Sequence, residues 1–212
     1  MLICGIDEAG KGSVFGNLCI GCYVIDSDTE FNAKDSKKLS KKRREQYYND
    51  LVEKAVEISI YELTADDLNT MHAQGMTLID MEIWAIVQLL NQLQNKPHQV
   101  FLDSCDVNHQ RFGRAVSDQL IFETEVHSAH KADSLFKVVS AASIVAKTFR
   151  ENNVQDLHDK YGDHIGSGYP CDKKSIAWLS EYYASHHVFP PETRLFWKTI
   201  ESIKRSNKTD QN

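Results

Sequence analysis

Residues 99–149, QVFLDSCDVNHQRFGRAVSDQLIFETEVHSAHKADSLFKVVSAASIVAKTF, read in order as strand, helix, strand and helix, and this order decides the fold. Gln99 to Asp103 is a short apolar strand, His109 to Gln119 a helix, and Leu120 to His127 a second strand. A further helix follows Asp133 and includes Val138 to Phe149. A right-handed crossover makes the two strands parallel, so their carboxyl ends share one edge of a sheet. Asp103 and the turn leading to Asp133 lie on that edge, where α/β folds place their ligands.

Toward the amino terminus, Leu2 to Ile6 and Leu18 to Ile25 are short, apolar and rich in β-branched or aromatic residues, with a glycine-studded, hairpin-like return between them. Ala55 to Leu63 alternates as a third strand. Ser40 is placed to cap a helix running to about Lys54. Met76 to Leu93 is the clearest helix, with Ile79, Ile83, Ile86, Val87, Leu90 and Leu93 at three- and four-residue steps. Toward the carboxyl terminus the texture changes at Gly162. Gly166-Ser167-Gly168-Tyr169-Pro170 is a loop, Asp172 caps a helix to about Ser185, and Phe189-Pro190-Pro191 precedes a last helix. The chain of 212 residues, 42% apolar, is expected to form a single α/β domain: a core over 1–150, a helical extension over 151–206 and a frayed tail over 207–212.

If the first strand runs parallel to the other two, Asp7 and Glu8 join Asp103 and Asp133 on the same edge. They sit in Gly5-Ile6-Asp7-Glu8-Ala9-Gly10-Lys11-Gly12, whose glycines let backbone amides approach a ligand. Four carboxylates within a few ångströms repel one another, and without a counter-ion at least one holds its proton at neutral pH. Divalent cations remove the conflict. Oxygen ligands with no histidine or cysteine at metal spacing favour Mg2+ or Mn2+ over zinc, and a pair of such ions suits phosphodiester hydrolysis. Taken singly, each aspartate is equally at home in a turn or a helix cap; it is their shared edge that favours chemistry.

One rival is the phosphate-cradling loop of nucleotide hydrolases, since Gly5, Gly10 and Lys11 have its spacing. Gly12 stands where that loop needs a hydroxyl, Asp7 and Glu8 would face polyphosphate, and Val14 to Ile25 reads as strand rather than helix. His127 and His130 flank the Asp133 segment and could shuttle protons, although loop histidines more often serve no chemistry. His186 and His187 suit a helix end. Net charge is −6, yet residues 34–44 hold seven basic residues and one acidic, an anion-binding face or simply a solvated helix start.

Five cysteines, an odd and scattered set, suggest free thiols and a cytoplasmic setting. Cys19-Ile20-Gly21-Cys22 has metal-ligand spacing but no second pair, and three residues along a strand send the sulfurs to opposite faces. No leader and no bilayer-spanning stretch is legible.

Six ordered segments carry a resemblance. Gly5-Ile6-Asp7-Glu8-Ala9-Gly10, Asp35-Ser36-Lys37-Lys38-Leu39, Asp103, His130-Lys131-Ala132-Asp133, Ser140-Ala141-Ala142-Ser143-Ile144 and Gly166-Ser167-Gly168-Tyr169-Pro170 together resemble type 2 ribonuclease H, ribonuclease HII, over nearly the whole chain. Phe189-Pro190-Pro191 with Arg194 and Trp197 is similar to its archaeal branch. The resemblance implies a ribonuclease H fold, a mixed five-stranded sheet flanked by helices with a helical carboxyl-terminal part. It implies an endonuclease of DNA replication and repair that cuts the RNA strand of RNA/DNA hybrids and nicks duplex DNA at embedded ribonucleotides, leaving 3′-hydroxyl and 5′-phosphate ends. Asp7, Glu8, Asp103 and Asp133 become the catalytic carboxylates, holding Mg2+ or Mn2+ with two ions during catalysis.

Gly10, Lys11 and Gly12 are then expected to meet the ribose 2′-hydroxyl, the group that separates RNA from DNA, and Tyr169 to pack on that ribose. Ser36, Lys37, Lys38, Ser140, Ser143 and Lys147 become phosphate contacts. One departure stands out. Type 2 enzymes usually have Gly-Arg-Gly where this chain has Gly10-Lys11-Gly12, a form more similar to type 3, and lysine offers a point charge in place of a planar fork. Type 3 carries an additional amino-terminal domain, whereas here the first strand begins almost at Met1, so type 2 is kept. The tail past Lys204 has no glutamine-plus-paired-aromatic segment of the kind that docks on sliding clamps. A monomer is expected, with RNA/DNA hybrid and ribonucleotide-containing duplex as partners and no membrane. A non-catalytic hybrid-binding protein using the basic stretch is the alternative of another class.

Overall fold

Short runs of β-branched and aromatic residues set the sheet. In the computed structural model, which describes residues 1–31 and 41–209, five strands form: β1 (Leu2–Ala9), β2 (Leu18–Asp26), β3 (Glu57–Leu63), β4 (Gln99–Asp103) and β5 (Glu125–Ala129). Their order is β3-β2-β1-β4-β5, with β1 antiparallel to β2 and parallel to β4, and β4 parallel to β5. The parallel relation that Asp7 and Glu8 needed is therefore present. Helices follow as α1 (Lys41–Lys54), α2 (Ala65–Ala73), α3 (Leu78–Gln92), α4 (His109–Ser117), α5 (Ala132–Leu135), α6 (Lys137–Tyr161), α7 (Lys173–His186) and α8 (Lys198–Thr209). The mixed five-stranded sheet with flanking helices and a helical carboxyl-terminal part is as expected. Ser40, the expected cap of α1, lies outside the described residues.

The chain divides into two compact units, Met1–Ala9, Cys19–Glu62 and Leu78–Phe149 forming one, and Gly10–Leu18, Leu63–Thr77 and Arg150–Asn212 the other. Two early segments, Gly10–Leu18 and Leu63–Thr77, thus join the helical part. Hydrogen bonds show why: Val14 N–H donates to the Gly168 carbonyl, Gly16 N–H to that of Glu192 and Arg194 N–H to that of Val14. Asn69 of α2 likewise bonds both Thr193 and Leu195.

In the first unit, two bare glycines let α6 lie directly on the sheet. A Cβ on Gly5 would sit 2.1 Å from the Val138 carbonyl oxygen, and one on Gly21 2.6 Å from that of Ala142. Val138, Val139, Ala141, Ala142, Ile144 and Val145 pack here with Tyr23, Ile25 and Leu51, the small residues allowing the approach. On the other face α4 meets β5, where a Cβ on Gly113 would touch that of Ser128. β5 is the margin of the sheet. Ala129 turns its carbonyl to the Ser104 N–H on the β4 side, so Ser128, one residue earlier, points its own outward, where His109 Nδ1 lies 2.6 Å away. A carbonyl only accepts, so Nδ1 carries the proton.

Two boundaries differ from expectation, and one helix extends further than its expected stretch. Residues 120–124 are not strand: Leu120 N–H bonds the end of α4 and Ile121 N–H the side chain of Asn91, and the ladder starts only at the Gln99–Glu125 pair. Helix α6 contains the expected Val138 to Phe149 and runs on to Tyr161, because nothing breaks it before Gly162 with φ 95°. α8 continues through the expected tail to Thr209, with Asn207 Nδ2 bonding the Ile203 carbonyl; residues 210–212 lie outside the described residues.

In the second unit, Val14, Phe15, Ile165, Trp178, Leu179, Ile200 and Ile203 form the core, with the Phe15 ring edge-on to Trp178 at 5.1 Å. The segment after Gly12 is thus anchored by its own apolar side chains.

Candidate metal centre

Parallel register and pleat put Asp7 and Asp103 together. Gly5 pairs with Phe101, and residues two further along each strand point to the same face. Both carboxylates therefore rise on the α6 side at the carboxyl ends of adjacent strands. Glu8 is one residue out of phase, yet its oxygen still comes within 4.8 Å of ligand oxygens of both Asp7 and Asp103. Asp133 is not in that group. It lies buried in the first turn of α5, and that turn is tied to the site because the Ala132 N–H donates to Asp103 Oδ1 at 2.8 Å. So three of the four expected carboxylates converge, and the fourth sits one residue beyond a direct hydrogen bond to the third.

Asp7 is almost fully buried, and its carboxyl is pushed well above the usual aspartate range. Burial is the main cause, followed by the charge of Glu8, while a hydrogen bond with Ser143 pulls the other way and Asp103 raises it again. The Glu8 N–H also donates to Asp7 Oδ1 at 2.8 Å. This donor set fits a hard divalent cation: it is all oxygen, and a charge of +2 would relieve the crowding that burial worsens. Oxygens on one octahedral Mg2+ lie about 2.9 Å apart when adjacent and about 4.2 Å when opposite, so these three, all within 4.8 Å of one another, would draw together around a shared ion.

The other expected site residues fall into separate places. Ser143 is fully buried and Ser140 nearly so, and Ser143 is engaged with Asp7, which puts it behind the carboxylate rather than on an open surface. Lys147 is half-buried on α6. Ser36, Lys37 and Lys38 lie outside the described residues. Gly10, Lys11, Gly12 and Tyr169 belong to the second unit and do assemble there: a Cβ on Gly12 would be 3.7 Å from the Tyr169 ring. The loop holding Tyr169 is braced by Asp172, whose Oδ2 accepts from both the N–H and the hydroxyl of Ser167 at 2.8 Å, and by Ser175, whose hydroxyl accepts from Gly168 N–H.

Two arginines were missed as contributors. Arg194, fully buried, donates to the Lys11 and Gly16 carbonyls at 2.9 and 3.0 Å, and Arg150 reaches the same turn. Neither has a local sequence signal for this, since the partners are distant in the chain.

Of the weaker readings, His127 stacks on Phe101 at 4.8 Å and pairs with Glu125, and His130 stands edge-on to His109. His186 closes α7 and His187 is its left-handed cap. The Gly10–Gly12 segment leads into strand β2 rather than a helix, so it lacks the helix N-terminus that the nucleotide-hydrolase loop uses. All five cysteines are free, and no described helix is long and apolar enough to cross a membrane.

The family model described as Ribonuclease HII matches residues 4–200. A curated Ribonuclease HII of Thermococcus kodakarensis is 40% identical over 216 residues, covering 100% of this chain and 93% of the relative. The crystal structure of the ribonuclease H2 from Pyrococcus horikoshii superposes with a TM-score of 0.92 at 36% identity, covering 98% of this chain and 99% of that one. The structure of the PCNA:RNase HII complex from Archaeoglobus fulgidus gives a TM-score of 0.83 at 32% identity over 93% of this chain and 96% of that one. A full-length match in sequence and a full-length match in fold agree with the acidic strand ends found independently, and the chain belongs to the ribonuclease HII family.

Proposed function

We propose that this chain cuts the RNA strand of RNA/DNA hybrids and nicks duplex DNA at embedded ribonucleotides, using two Mg2+ or Mn2+ ions and leaving 3′-hydroxyl and 5′-phosphate ends. The observation that carries the proposal is the convergence of Asp7, Glu8 and Asp103 within 4.8 Å. Bound divalent ions would supply charge neutralisation at the phosphate and an acidified water. Asp7, Glu8 and Asp103 would hold them, with Asp133 as fourth carboxylate. Ser143 keeps Asp7 oriented, and the Ala132 N–H does the same for Asp103.

Substrate choice falls to the second unit. Backbone groups of Gly10, Lys11 and Gly12 meet the 2′-hydroxyl, and Tyr169 packs on the ribose. Ser36, Lys37, Lys38, Ser140 and Lys147 are kept as phosphate contacts that position the duplex without reading sequence. The free cysteines support a cytoplasmic setting. A relative was solved with PCNA, so the absence of a clamp motif in the tail is no argument against a clamp contact.

The test compares an all-DNA duplex, a duplex with one ribonucleotide and a full hybrid, each with Mg2+, Mn2+ or EDTA. Cleavage of the last two substrates only, abolished by EDTA, is the expected result. Asp103→Asn should lower the rate about a hundredfold or more, the scale of losing one electrostatic stabiliser, while leaving the melting curve in place. Full activity in that variant, or with EDTA present, overturns the assignment. Salt-sensitive hybrid binding with no product under any metal would favour the non-catalytic alternative.

A further inference from the structure

One side chain in the second unit joins the two segments to which the proposed function gives the ribose. Arg150 Nη2 donates to the Ser167 carbonyl at 2.6 Å and lies 3.3 Å from the Ser13 hydroxyl. Its Cζ stands 4.4 Å from the centre of the Tyr169 ring. The turn from Gly10 to Ser13, closed by Ser13 N–H on the Gly10 carbonyl at 3.2 Å, runs along the same side chain. A Cβ on Gly10 would lie 3.3 Å from both Arg150 Cδ and Nε, and Gly10 has φ 87°, so this position admits glycine for two reasons.

The geometry uses what is particular to a guanidinium. Its donors point outward in its own plane, while its face is free to stack, so a single group can hold backbone on one side and a ring on another. A lysine ammonium can do one or the other. The backbone bond from Val14 N–H to the Gly168 carbonyl, 2.7 Å, already joins the two loops but leaves the tyrosine ring free to turn about its side-chain torsions. Arg150 restrains the ring itself.

We infer that Arg150 is a positioning residue that locks the Tyr169 ring to the Gly10–Gly12 turn, so that the two address one ribose as a single rigid unit. Resting on the proposed ribose roles of those residues, it adds a specificity determinant from α6. Misplacing a substrate-contacting group by about 1 Å can cost a hundredfold in rate, so a restraint of this kind shows in turnover.

A double-mutant cycle tests it, with the single-ribonucleotide duplex as substrate and Mn2+ as metal: wild type, Arg150→Ala, Tyr169→Ala and the double variant. Arg150→Ala should lose about tenfold or more in kcat/KM, with most of the loss in kcat because the duplex contacts remain. The double variant should be within about twofold of the poorer single variant, since either change already frees the same unit. Arg150→Lys, which keeps the cation but not the fork, should recover only part of the loss. Effects of the two single changes that multiply, or an Arg150→Ala variant as active as wild type, overturn the inference. If Arg150→Ala does not fold, Arg150→Lys and Arg150→Gln carry the same cycle. If the wild type itself cuts nothing, the proposed function falls separately. The cycle is then read from hybrid binding by fluorescence anisotropy, where the same non-additivity is expected and additivity refutes the lock.

Discussion

Asp172 shows how much a single carboxylate can organise. Through Oδ2 it holds the Ser167 N–H and hydroxyl, and through Oδ1 it accepts the Lys174 N–H as N-cap of α7. Those donors hold its carboxyl below the ordinary aspartate range, the Ser167 N–H having the largest effect. A carboxyl with a lower pKa in the folded state than in the unfolded one stabilises fully above the unfolded value and loses that contribution as pH falls through the folded one. Asp172→Ala should therefore cost about 1 kcal/mol or somewhat more near neutrality, and the gap to wild type should close below about pH 4. Urea titrations of both proteins between pH 7 and pH 3 measure it; a gap that persists unchanged at the acid end rules out the linkage. This cap was legible from sequence, because an aspartate preceding a helical run has few other local uses. The hydrogen bond between Ser143 and Asp7 was not, since a serine inside an apolar helix says nothing about which strand it will face. Asp133 was legible as an acid near the right edge, but its distance from the other three depends on the left-handed turn at Lys131 that starts α5.

The contact between β1, β2 and α6 depends on two missing side chains. Gly21→Ala should destabilise by about 3 kcal/mol, toward the upper part of the range for overpacking, since the new methyl would meet the backbone of Ala142 and Ala146 rather than a yielding side chain. Chemical denaturation gives the number, and a loss under about 0.5 kcal/mol would mean that the helix can lift without cost. Strands β1, β2 and β4 and helix α3 were readable because their apolar spacing is strong and local. What escaped was set by weaker or longer-range signals. Helix α2 went unassigned although Thr64 and Asp67 form a reciprocal cap, Thr64 accepting from the Asp67 N–H and donating its own N–H to the Asp67 carboxylate. Its nine residues are too few to show a clear period. The false start of β5 had the opposite cause: Leu120, Ile121 and Phe122 look like strand, but β4 offers no partner before Gln99.

Across the whole chain, the crowding of three carboxylates links folding to cation binding. Adding Mn2+ to a hundred times its dissociation constant should stabilise the protein by about 2.7 kcal/mol, and EDTA should reverse it. For a chain of this size that is a rise of roughly 5–10 °C in melting temperature. A melting curve indifferent to Mn2+ would count against a preformed site, and Asp103→Asn should blunt the rise. The division into two units was the part of the architecture least accessible to sequence, because residues 10–18 and 63–77 leave their neighbours in the chain to join the carboxyl-terminal helices. No periodicity announces such an exchange; it is fixed by hydrogen bonds such as those of Arg194 to the Lys11 and Gly16 carbonyls. The histidine at the sheet margin has a consequence of a different kind. An uncovered outer strand is a template on which a second molecule can lay a strand of its own and begin an aggregate. With Nδ1–H of His109 occupying the outward carbonyl of Ser128, in the middle of a strand only five residues long, that template loses one of its few vacant acceptors, and the protein gains protection from ribbon-like self-association at high concentration.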